Sequence, residues 1–290
     1  MRPISLLSHS LSIAALAILS TIQAAPAEPV HPQKRAMHVN DWSCKPSAEK
    51  PYPLVLVHGT FMNAATTWAF HGTRFLAKGY CVFQLDYGYV PQLPGIGGLA
   101  RIENSAEELH KFVDKVLAAT KARQVDMLGH SQGGLMPLYY MKRLDGAAKV
   151  HKIGALAPAT HGTTASGLVN LSRAVNIYDA TADAIIKSCR SCVEMVHDSP
   201  FLTDLYKDGD VSPGVEYFYL GTKYDAVISP YTNSFLRQKN ADVTNAAIQD
   251  YCVFDHAGHG LLLVNALAFN IMDNFFSPPP APRTFTCLSY

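Results

Sequence analysis

What this chain lacks narrows its reading first. No sign of charge dominates: 24 Lys and Arg face 23 Asp and Glu, a formal net charge of +1, so nothing points to a nucleic-acid backbone as partner. There is no internal repeat and no low-complexity tract, which argues against a solenoid or an array. Beyond the N-terminal stretch, no apolar run approaches the roughly 20 residues that a membrane-spanning helix needs. No second Cys-x-x-Cys accompanies Cys189 and Cys192, and His71, His110, His151 and His197 have no ligand spacing, so they read as structural or solvated. Neither a metal nor an organic cofactor is expected.

What is present begins with a basic start, an apolar stretch from Ile13 to Ile22 and small residues at Ala24, Ala25 and Ala27. That is the layout of a secretory signal peptide over residues 1–25, and it predicts a secreted, extracellular protein with no stable membrane span. A Pro-rich arm over 26–52 follows, and 53–290 is long enough to bury one α/β core. The six cysteines are an even count, and in an exported chain they predict disulfides. The expected pairs are Cys44 with Cys81, which ties the arm to a core strand, Cys189 with Cys192, and Cys252 with Cys287, which pins the tail. Asn170, Leu171 and Ser172 form a glycosylation sequon, usable only in a eukaryotic host.

Short apolar runs alternate with helical periodicity, the rhythm of a parallel sheet. Strands are predicted at Pro53–Val57, Tyr80–Leu85, Val125–Leu128, Ile153–Ala157, Val215–Leu220 and Ile248–Phe254. Helices are predicted up to Phe75, from a capping box of Ser105 and Glu108, after Ser131, and over Leu261–Phe276. Regularity fails between Thr160 and Pro213, so a cap insertion is placed at about 161–213, either gating the site or adding a structural helix pair.

The run Gly129, His130, Ser131, Gln132, Gly133 is the most informative segment. It puts a serine between two glycines where an apolar strand gives way to a helix, the nucleophile elbow of an α/β-hydrolase. Side chains at Gly129 and Gly133 would collide with neighbouring backbone. A serine hydroxyl is a weak nucleophile at neutral pH, so it needs a histidine to take its proton and an acid to hold the imidazolium. In this fold the chain order is serine, acid, histidine. Asp225 follows the Val215–Leu220 strand and is the candidate acid, with Asp242 and Asp250 farther from that strand end. The loop Asp255 to Gly260 offers two bases: His259 is preferred, and His256 is the alternative. The oxyanion of ester attack needs backbone donors, assigned to Thr60 in the His58–Gly59–Thr60 loop and to Gln132. Phe61, Met62, Leu135 and Met136 are expected to line the apolar substrate site.

At these residues the chain resembles the secreted triacylglycerol lipases of the actinobacterial type, which are similar to the yeast lipase B type of α/β-hydrolase. The segments that carry the resemblance include VLVHGTF, GYCVFQLDYG, GHSQGG, PATHGTT and YDAVISPYTNSFL. They cover most of the chain after the leader and thin out over 181–214. The resemblance implies carboxylic ester hydrolysis through an acyl-enzyme, with Ser131, Asp225 and a loop histidine as triad and Thr60 with Gln132 as oxyanion hole. An ungapped match of the last strand and helix selects His259, whereas the string DHAG selects His256. The expectation is a monomeric α/β-hydrolase, its mostly parallel central sheet flanked by helices on both faces, acting on lipid esters at a lipid interface. The rivals are a cutinase-like polyesterase and a non-catalytic hydrolase fold used for binding.

Overall fold

The computed structural model describes residues 38–91, 93–164, 166–168, 188–238, 242–278 and 284–289. The expected signal peptide at 1–25, the first part of the arm, the sequon at 170–172 and the expected cap residues Val169, Ile185 and Ile186 lie outside the described residues.

The first strand, β1 (Leu54–Val57), shows why the sheet forms. All four residues are buried, and they alternate between the two faces: Val55 and Val57 join one core cluster, Leu54 and Leu56 the other. A strand apolar on both faces must be covered on both, which is the condition of a parallel sheet between helical layers. In chain order there follow α1 (Ala64–Thr67), α2 (Ala69–Ala77), β2 (Val82–Leu85), α3 (Ile102–Thr120), β3 (Val125–His130), α4 (Gln132–Arg143) and β4 (Val150–Leu156). Then come α5 (Arg190–Glu194), α6 (Pro200–Tyr206), β5 (Glu216–Gly221), β6 (Val243–Ala247) and α7 (Ala266–Phe276). The six strands pair in the order β2-β1-β3-β4-β5-β6, every neighbour parallel. Side chains from α3 and α4, such as Leu109, Val113 and Leu138, fill one face. Phe75 of α2 and Phe269 and Met272 of α7 fill the other.

The chain winds from β1 to β2 on one side and returns to place β3 on the other. The loops after β1 and β3 therefore part at the carboxyl edge of the sheet, the crevice where open α/β sheets place their ligands. The expected disulfides are present: Cys44–Cys81, Cys189–Cys192 and Cys252–Cys287. No helix among the described residues is long and apolar enough to cross a membrane.

Several boundaries differ from expectation for identifiable reasons. The last strand is not Ile248–Phe254 but Val243–Ala247; the chain then turns, with the Asp250 carboxylate accepting the Ala247 N–H at 2.8 Å. Val253 and Phe254, apolar in sequence, are 68% and 78% exposed. The closing helix is split, because Leu261–Val264 is a 3-10 turn and Asn265 caps a new start by accepting the Ala268 N–H at 2.9 Å. Helix α3 starts at Ile102, not at a Ser105 capping box: Ser105 is buried inside it, and the cap comes from Glu194, whose carboxylate accepts the Ile102 N–H at 2.6 Å. That partner lies 92 residues away in sequence. Residues up to Ala77 form two short helices, capped first by Asn63, and β3 runs on through His130. Within the expected cap, α5 and α6 are the described elements.

Candidate active site

The sharp turn after β3 positions Ser131. Its φ of 56° and ψ of −122° lie outside the regions that ordinary residues favour, and it is the N-cap of α4. Such strain persists only where the surroundings enforce it. A Cβ on Gly129 would lie 2.0 Å from the Gly133 carbonyl oxygen, and one on Gly133 would lie 2.1 Å from that of Val57. Bare backbone at both positions lets strand, turn and helix nest together. Ser131 itself is 2% exposed.

The loop after β1 runs beside this turn. The Thr60 hydroxyl donates to Gln132 Oε1 at 2.6 Å, which ties that loop to the first turn of α4. Both residues are fully buried. Gly98 lies over them with φ of +70°; a Cβ there would come within 2.9 Å of Thr60 Cα and 3.1 Å of Gln132 Oε1. The adjoining Gly97 is hydrogen-bonded to Phe61 and Met62 through backbone groups at 3.0 and 2.8 Å. Phe61 is nearly buried and Met62 partly exposed, whereas Leu135 and Met136 are fully enclosed in the core.

At the far side of the sheet, the loops after β5 and β6 bring Asp225 and His259 together. His259 Nδ1 donates to Asp225 Oδ2 at 2.9 Å, with both side chains buried. The other carboxylate oxygen, Oδ1, accepts the N–H groups of Val227 and Ile228, each at 2.8 Å. With Nδ1 donating, Nε2 of the neutral ring is an acceptor; it is buried and has no hydrogen-bond partner among the described residues. His256 is exposed and lies against the Tyr224 ring, 5.0 Å between centroids. The structure therefore joins His259, not His256, to the aspartate. Asp250 instead pairs with Lys223 at 3.0 Å.

Two further buried histidines surround this arrangement. His58 stacks on Tyr87 at 4.2 Å, and burial pushes its imidazole down to about 4. His130, just before Ser131, is pushed well below the usual histidine range, by burial first and by the neighbouring His259 second. Both are neutral at physiological pH.

Residues that sequence reasoning missed hold these loops in place. Ser191 of α5 donates to the Gly98 carbonyl at 2.6 Å, and the Arg190 N–H reaches the Leu99 carbonyl at 2.8 Å. Met195 Sδ then lies 3.9 Å from the Thr60 hydroxyl. The disulfide-closed segment within the expected cap thus docks on the loop that covers Thr60. Thr222, Gln249, Asp255 and Asn265 form a second polar network under the histidine loop. None of these contacts follows from local sequence, although the Cys189–Cys192 pair marks the first segment.

The family model described as Lipase (class 2) matches residues 51–262. Two curated triacylglycerol lipases, from Pseudarthrobacter phenanthrenivorans and Burkholderia plantarii, are each 36% identical over 93 residues. That stretch is 30% of this chain and 27% and 24% of those proteins, so the match spans about a quarter of their length. Among solved structures, Aspergillus fumigatus lipase B superposes with a TM-score of 0.60 at 19% identity, covering 79% of this chain and 54% of its own. A mature Bacillus licheniformis lipase gives 0.55 at 15%, covering 80% and 94%. At such identities these likenesses speak for the shared α/β-hydrolase fold.

Proposed function

The chain belongs to the Lipase (class 2) family, and from that premise we propose that it hydrolyses carboxylic ester bonds of acylglycerols or related lipid esters, with Ser131, Asp225 and His259 as its triad. The observation that carries this is the buried His259–Asp225 pair, 2.9 Å apart, at the same sheet edge as the strained Ser131 turn. His259 Nε2 takes the proton of the Ser131 hydroxyl as Oγ attacks the ester carbonyl. Asp225 fixes the ring with Nδ1 protonated and stabilises the imidazolium that forms. The backbone N–H groups of Thr60 and Gln132 receive the developing oxyanion, where preorganised donors act most strongly. Collapse of the tetrahedral intermediate breaks the ester bond, and the leaving alcohol takes the proton from His259. Water, deprotonated by the same histidine, then cleaves the acyl-Ser131 ester and regenerates the hydroxyl. Phe61 and Met62 are proposed to meet the substrate. Leu135 and Met136, on the elbow helix itself and fully enclosed in the core, are not proposed to meet it. The leader-like pattern of residues 1–25 and the three disulfides support the proposal that it is secreted.

The test is hydrolysis of p-nitrophenyl butyrate and emulsified triacylglycerol by the wild type, Ser131→Ala, His259→Ala and His256→Ala, with fluorophosphonate labelling of the wild type. Ser131→Ala and His259→Ala should lower kcat about ten-thousandfold or more, and His256→Ala should stay within about twofold, as expected for an exposed residue outside the site. Retained activity in Ser131→Ala, or no labelling of the wild type, would end the proposal. Preference for polyester film over triacylglycerol would redirect the substrate class.

A further inference from the structure

The proposed acid and base ride on separate loops, and the hydrogen bond between them fixes neither loop by itself. Gln249, in the 3-10 turn after β6, joins the two. Its Nε2 donates to the Thr222 hydroxyl oxygen at 3.0 Å and to the Asp255 carbonyl at 3.0 Å, while its Oε1 accepts the Lys223 N–H at 2.9 Å. Thr222, fully buried, completes the bridge: its hydroxyl donates to the Ala257 carbonyl at 2.6 Å and accepts the Tyr224 N–H at 3.2 Å. The Thr222 carbonyl also accepts the Asp225 N–H at 3.2 Å. These contacts reach the backbone of Asp225 itself on one loop and end two residues before the histidine on the other.

We propose that Gln249 and Thr222 are positioning residues that hold the Asp225 loop and the His259 loop in register, so that the imidazole is presented to Ser131 in one orientation. The proposal rests on the triad reading above. Its chemistry is specific. The amide must donate twice and accept once, which a carboxylate of the same length cannot do. The hydroxyl must donate to one loop and accept from the other, which an isosteric methyl cannot do. Neither residue touches the reacting atoms. Losing the bridge therefore loosens the geometry of proton transfer without altering where the ester binds, and a displacement of about 1 Å at such a distance from the chemistry costs on the order of a hundredfold in rate.

The experiment compares Thr222→Val, Thr222→Ser, Gln249→Glu and the wild type on p-nitrophenyl butyrate, with Ser131→Ala and His259→Ala alongside and thermal midpoints for all. Thr222→Val and Gln249→Glu should lower kcat by about ten- to a hundredfold with KM within about twofold. Thr222→Ser, which restores the hydroxyl, should bring kcat back to within about threefold of the wild type. Wild-type kcat in Thr222→Val and Gln249→Glu, or a loss in Thr222→Ser equal to that in Thr222→Val, would overturn the proposal. Should the first two fail to fold, Gln249→Asn keeps the amide but withdraws it by one methylene; a lowered kcat there supports the bridge, and a wild-type kcat overturns it. Full activity in Ser131→Ala or His259→Ala would instead strike the triad reading, so the two failures are told apart.

Discussion

His130 is bonded to His259 directly: its Nε2 donates to the His259 carbonyl at 3.1 Å, and the two rings lie 4.8 Å apart. A carbonyl only accepts, so the His130 proton sits on Nε2, and burial keeps the ring uncharged. The residue before the proposed nucleophile thereby anchors the backbone of the proposed base. His130→Phe keeps a ring of similar size and removes the bond. It should lower kcat about tenfold by loosening His259, with the fold retained as judged by circular dichroism. An unchanged kcat would show that the anchor carries no functional weight.

His71 gives the protein a defined acid sensitivity. Its Nε2 donates to the Leu262 carbonyl at 3.0 Å, and burial pushes its imidazole down to about 4. Between pH 6.5 and that value the unfolded chain binds a proton that the native state refuses. The contribution is therefore complete above pH 6.5 and lost as pH falls. From pH 7.5 to 5 this amounts to about 2 kcal/mol. Over that window the wild type should lose about 2 kcal/mol more urea stability than His71→Gln, which cannot titrate. Equal losses would refute the assignment.

Space, not residue type, decides what two nearby glycines tolerate. Gly133→Ala would drive a Cβ to 2.1 Å from the Val57 carbonyl oxygen and should abolish soluble expression or cost more than about 4 kcal/mol. Gly260, beside His259, has φ of −79° and nothing within 4 Å of an added Cβ. Gly260→Ala should be neutral or stabilise by up to about 1 kcal/mol. Thermal midpoints of the two variants decide the matter, and a loss in Gly260→Ala as large as that in Gly133→Ala would contradict it.

The disulfides should differ in worth according to the length of chain they close. Cys252 and Cys287 are 35 residues apart, Cys189 and Cys192 only 3. On chain entropy alone, replacing the first pair by serine should cost about 4 kcal/mol and the second about half that. Equilibrium denaturation of the two double variants measures the difference. Stability losses in the reverse order would show that native contacts outweigh chain entropy at these sites.

The sequence made the centre of the molecule legible and its edges less so. Leu54–Val57 is apolar on both faces, the pattern of a parallel strand covered on both sides, and Val125–His130 is buried on both faces although it carries Asp126 and His130. The two glycines around Ser131 are required by contacts of 2.0 and 2.1 Å, so the elbow shows in composition itself. The edge strand β6 reads poorly because Thr244 and Asn245 are exposed, while the more apolar run after it turns outward at Val253 and Phe254. Asp225 stands out as the candidate acid because strand order limits where an acid can lie. The choice between His256 and His259 rests on a side-chain direction that Gly258 and Gly260 leave free locally, and His259 is the one paired with Asp225. The bridge through Gln249 and the cap of α3 by Glu194 join residues far apart in sequence, and no local pattern announces such a pairing.

The residues proposed for the chemistry enter the sheet edge in the order of their strands: Thr60 after β1, Ser131 and Gln132 after β3, Asp225 after β5, His259 after β6. Synthesis therefore makes the serine well before the histidine that would activate it. Once β4 is made, the strained turn has its supports, with the Ser131 N–H donating to the Leu156 carbonyl at 3.1 Å, but not the proposed base. On the proposed triad, reactivity would arrive only after the outermost strand, so the step that seals the edge of the sheet would also bring the base to the serine.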